Sequence, residues 1–136
     1  MNQFTVFSTQ LKFKKYEQQV LALTKRVLFL LKKNNIAFDI FLVSKKQIKD
    51  LNKKFRGKNK ETNVLSFCEP KNFVRPDKKA KYYGEIYLSL DFVKEKNQDL
   101  KLMVVHGILH LLGYDHVTKK DVLKMEGKES WLTNRL

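Results

Sequence analysis

The sequence predicts one domain that mixes strands and helices, and three observations predict it. Runs of strand character alternate with segments whose apolar residues recur at helical spacing. The chain has 136 residues, the size of one domain able to bury a core without staples, so a single domain over residues 1–136 is expected. A stretch near the C-terminus, Leu102 to Leu112, is apolar nearly all round and therefore belongs in the interior.

The elements follow in chain order. Gln3 to Ser8 reads as a short strand with Phe4 and Val6 on one face. Phe13, Tyr16, Val20, Leu23, Val27 and Leu30 recur at steps of three and four, one apolar face of a long helix. Ile36 to Val43 is the clearest strand, with Asp39 marking a partly exposed face. Ser44 and Gln47 form a capping box, Ile48, Leu51 and Phe55 give the next helix its buried stripe, and Gly57 ends it. Asn63 to Cys68 and Tyr82 to Leu90 read as strands flanking a loop, Glu69 to Lys81, that holds both prolines, Pro70 and Pro76. The two strands are able to pair as a hairpin. Asp91 is placed to cap a short helix and Asp99 to open the next. Thr118 caps a last helix with Asp121, with Val122, Met125, Trp131 and Leu132 on its apolar side.

Composition narrows the class. The single cysteine, Cys68, excludes an intrachain disulfide, fits a reducing compartment, and in its apolar run reads as a small buried hydrophobe. No targeting segment or bilayer-spanning run is visible, so a soluble cytoplasmic protein is expected, with no membrane partner. Against 14 acidic residues stand 28 Lys and Arg, a formal charge of +14. Such an excess attracts polyanions over long range.

All three histidines lie within one segment, VVHGILHLLGYDH. On a helix, His106 and His110 are one turn apart on one face. Gly113 suits the end of that helix, and the chain then turns back to offer His116 to the same point. A lone histidine on an apolar helix is ordinarily a packed core residue. Three at this spacing suit one divalent ion, zinc by default or another transition metal, with a fourth position open. The spacing is zincin-like, that of H-E-x-x-H-x-x-G-x-x-H, but Gly107 stands where peptidases of that type keep a glutamate base. Asp115 reads either as a carboxylate bonded to a ligand imidazole or as a turn residue.

Cations cluster in two places. Lys45 to Lys60 is dense in them, and Arg56 stands out at a helix end in a chain that prefers lysine. A guanidinium grips phosphate bidentately and an ammonium does not, so Arg56 is the candidate catalytic residue. Lys53, Lys54 and Lys58 beside it, with Lys78 and Lys79 in the second cluster, are candidate contacts to the phosphates of a polyanion.

The segment from His106 to His116 resembles the H-G-x-L-H-L-x-G-Y-D-H signature of the YbeY family, bacterial endoribonucleases of ribosomal RNA maturation. Two further blocks are similar to that family: Leu51-Asn52 with Phe55-Arg56-Gly57-Lys58 and Thr62 to Phe67, and Gly84-Glu85-Ile86. The resemblance implies a small α+β fold, a mixed sheet with helices packed on it and the metal-binding helix in the core. It implies zinc on His106, His110 and His116, and Arg56 near the scissile phosphate. Its implied substrate is single-stranded RNA near ribosomal RNA ends, the 3′ end of 16S rRNA, with the small ribosomal subunit as partner. This chain departs from the family at Glu85 and Asn59, where aspartate is usual, and at Cys68, where proline is common.

The leading reading is therefore metal-dependent hydrolysis of RNA phosphodiesters. The general base is open among the substrate's own 2′-hydroxyl or phosphate, Glu85 and solvent. Two alternatives stand beside it. A metallopeptidase has the histidine spacing but lacks the base. A non-catalytic ribosome-assembly factor would use zinc only to brace the fold.

Overall fold

In the computed structural model, the structure describes residues 1–70 and 80–136. Lys71, Arg75, Lys78 and Lys79 of the expected cationic loop lie outside the described residues.

Four strands form one sheet: β1 (Gln3–Ser8), β2 (Ile36–Val43), β3 (Val64–Cys68) and β4 (Lys81–Ser89), in the order β1-β2-β4-β3. β1 runs parallel to β2 and β2 parallel to β4, while β3 is antiparallel to β4. The sheet is thus mixed, as expected. Parallel neighbours need a crossover connection, and α1 (Glu17–Leu30) supplies it between β1 and β2. The long helical pattern divides here: its first part, Leu11–Tyr16, is a 3₁₀ helix that still buries Phe13.

The two faces of the sheet are unlike. On one, Phe38, Ile40, Leu42, Ile86 and Leu88 join α1 and α4 (Leu100–Leu111) in the main core. On the other, α2 (Lys45–Arg56) covers only one end, burying Val43, Ile48 and Leu65. Seven residues of α4 are buried, Met103 to Val105, Gly107 to Leu109, and Leu111. Each large apolar side chain among them contributes about 1.5–3 kcal/mol by leaving water. α5 (Lys119–Thr133) packs against α4 through Met125 and Leu132, both fully buried.

Several local expectations need correction. β4 ends at Ser89, and it is the Ser89 hydroxyl, not Asp91, that caps α3 (Leu90–Glu95) by accepting from the Phe92 N–H. Phe55 is 58% exposed, since α2 buries only Ile48 and Asn52, and it packs at a tilt on Phe67 instead. Trp131 is also exposed, with the Lys128 and Arg135 cations over its ring. Cys68 is exposed, because it is the last residue of an edge strand. The capping boxes at Ser44–Gln47 and Thr118–Asp121 and the left-handed Gly57 (φ 68°) are as expected.

Candidate metal centre

Asp99 opens α4 by accepting a hydrogen bond from the Lys101 N–H, and Gly113 (φ 105°) turns the chain after it. That turn returns His116 to the face carrying His106 and His110. The ring centroids are 4.7 Å apart for His106–His110 and His110–His116, and 5.0 Å for His106–His116. One nitrogen from each lies within 4.8 Å of the other two. Nitrogens bound to a tetrahedral ion at about 2.0–2.1 Å sit about 3.4 Å apart, so small ring rotations close the set.

The protonation of His110 suits a cation. Burial, then the neighbouring His106, His116 and Arg56, push His110 down to about 4, against a hydrogen bond to the Tyr114 backbone that raises it. His110 is therefore neutral at physiological pH, which leaves a ring lone pair able to ligate. His106 meets a carboxylate through Nδ1, 3.0 Å from Glu129 Oε2. Asp115 sits in the turn, where its carboxylate accepts from the Val117 N–H.

The trio lines a cleft of about 300 Å³. Arg56, Lys58 and Lys60 line the same cleft, as do Asn52, Asn63 and Ser66. Gly57 ends α2, and Lys58 and Lys60 follow it in the chain. Asn52, only 2% exposed, pins that loop by donating to the Lys60 carbonyl at 3.0 Å. Arg56 donates to the Ser66 carbonyl at 3.4 Å, and the Ser66 hydroxyl donates to the Gly107 carbonyl at 2.9 Å. The end of α2, β3 and α4 are thereby tied into one frame.

Of the residues singled out in the sequence, the structure brings Arg56, Lys58 and the three histidines together. Lys53 and Lys54 are exposed on α2 and do not line the cleft. Glu85 is turned away: Ile86 packs on the α4 side, and Glu85 accepts from the Tyr87 hydroxyl on the opposite face. The Cys68 thiol is raised by desolvation, although Arg56 pulls it back, which favours the thiol over a nucleophilic thiolate. Glu129 carries a role that no sequence motif marks, and Asn52 and Ser66 fall in blocks similar to the family without any local pattern that reveals their hydrogen bonds.

The profile of the family described as Endoribonuclease YbeY matches residues 2–136. The chain belongs to the YbeY family.

Its relatives agree. Endoribonuclease YbeY of Pelagibacter ubique is 42% identical, across 92% of this chain and 78% of that one. Endoribonuclease YbeY of Sulfurihydrogenibium sp. is 35% identical, across 76% of this chain and 71% of that one. The solution structure of TM1509 from Thermotoga maritima shares the fold, with a TM-score of 0.56 at 24% identity, covering 97% of this chain and 90% of that one. No described helix of this YbeY-family chain is long and apolar enough to cross a membrane.

Proposed function

We propose that this YbeY-family chain is a zinc-dependent endoribonuclease that cleaves single-stranded RNA in the cytoplasm. Its task in this reading is maturation of ribosomal RNA at the 3′ end of the 16S molecule, on the small ribosomal subunit. The observation that carries it is the meeting of three convergent imidazoles with Arg56, Lys58 and Lys60 in one cleft.

His106, His110 and His116 would hold the ion. When bound, it supplies an acidified water and polarises a phosphoryl oxygen. Arg56 faces the same space and neutralises charge gathering on the phosphate, held in place by the Ser66 carbonyl. Lys58 and Lys60 hold the flanking backbone electrostatically. Glu85, on the far side of the sheet, is not a candidate base, which leaves the substrate or solvent to take the proton.

The test uses fragments of ribosomal RNA ending in single-stranded tails, with fully paired duplexes as controls. The protein as purified is expected to cut the tails and spare the duplexes. Chelation should abolish cutting and zinc should restore it. Undiminished cutting after complete removal of metal would refute the zinc reading.

A further inference from the structure

His106 is gripped by a helix from elsewhere in the chain. Glu129, 23 residues on, places Oε2 3.0 Å from the ring's Nδ1. The carboxylate is largely enclosed, its side chain 12% exposed. Its carrier is well seated: Met125 and Leu132 anchor α5 in the core, and the Thr118–Asp121 capping box fixes its start. The Thr133 hydroxyl donates to the Glu129 carbonyl at 2.8 Å, holding that turn.

An ionised carboxylate only accepts, so the Nδ1 it faces must carry the proton. The lone pair of a neutral His106 is then on Nε2. Among the described residues no carboxylate lines the cleft itself, so Glu129 brings negative charge that a divalent ion held by three imidazoles would otherwise lack.

We propose that Glu129 is a positioning residue of the metal centre: it fixes His106 with Nε2 toward the ion and raises the affinity of the three-histidine set. This rests on the metal reading above. It also makes α5 part of the site, although α5 contributes no ligand.

The experiment compares wild type with Glu129→Ala, Glu129→Gln and, as a control on an exposed position of the same helix, Glu126→Ala. Zinc affinity is measured by competition with a chromophoric chelator, and cobalt substitution reports ligand geometry by its visible spectrum. Circular dichroism and melting of the metal-free proteins monitor the fold. Glu129→Ala should lose about 10–100-fold in zinc affinity and change the cobalt spectrum. Glu129→Gln keeps an acceptor without the charge, so it should lose less affinity and keep the spectrum. Glu126→Ala should match wild type.

A folded Glu129→Ala that binds zinc as tightly as wild type overturns the proposal. If that variant does not fold, Glu129→Gln decides, and unchanged affinity there overturns it. Wild type that binds neither zinc nor cobalt would refute the metal reading itself, a different failure.

Discussion

Gly107 and Ile86 pack so closely that a side chain at residue 107 would have to displace its neighbours on the sheet. A Cβ there would lie 3.0 Å from Ile86 Cγ2 and 3.1 Å from Val64 Cγ2. The position at which zincin peptidases keep their glutamate base is here the seat of α4 on the sheet. Its occupant is dictated by packing, and a carboxylate placed there would face β4 rather than substrate.

Gly107→Glu should therefore destabilise the protein by about 3 kcal/mol or more, through overpacking and a buried carboxylate. It should confer no peptidase activity. Urea unfolding and a peptide-cleavage assay check both halves; a stable variant with new peptidase activity would contradict this account of the site.

Arg56 is exposed at the end of α2, so its replacement should leave the fold intact. Arg56→Ala should lower kcat for RNA cleavage by about 100-fold or more. Arg56→Lys should recover little of it, because an ammonium does not reproduce the guanidinium fork. Single-turnover rates alongside melting curves test this, and full recovery by lysine would show that charge alone matters.

The metal-free protein should weaken in acid. Unfolded histidine takes up a proton near pH 6.5, whereas folded His110 resists it down to about 4. Between those values the unfolded state binds more protons, so stability rises with pH. The full contribution is present above pH 6.5 and is lost as pH falls toward 4. Urea midpoints of chelated protein at several pH values should show that slope, and His110→Asn should flatten it. An unchanged slope in the variant would assign the effect elsewhere.

RNA binding should fall steeply with salt, because each cation on a phosphate releases counterions. Lys58 and Lys60 line the cleft, and replacing them leaves phosphates without a neutralising partner. The slope of log affinity against log salt should then become shallower by about 0.7 for each such phosphate of a single strand. Replacing Lys53 and Lys54, outside the cleft, should change it less. Fluorescence anisotropy across a salt series separates the pairs.

Much of the site is legible in the sequence, for local reasons. Helix geometry alone aligns His106 with His110, and Gly113 is a chain-reversal residue by its own stereochemistry. Ser44–Gln47 and Thr118–Asp121 are capping pairs within one turn. What stays hidden depends on packing between distant segments. Glu129 reaches His106 only because Met125 and Leu132 seat α5 on α4. Asn52 sits within a lysine-rich helix, and its role emerges when the chain after Gly57 folds back over it. Periodicity places Phe55 and Trp131 on buried stripes, but both are exposed: Trp131 sits about 100° round α5 from the buried Leu132, and Phe55 lies past the last buried residue of α2. Strand order, with β4 between β2 and β3, is a property of the assembled sheet.

The central claim is that three imidazoles hold one ion that RNA cleavage requires. Elemental analysis of wild type and His110→Ala, joined to cleavage of one single-stranded ribosomal RNA fragment, tests it most directly. We predict close to one equivalent of metal and active cleavage in wild type, with both lost together in the variant. A metal-free His110→Ala that still cuts at the wild-type rate would contradict it.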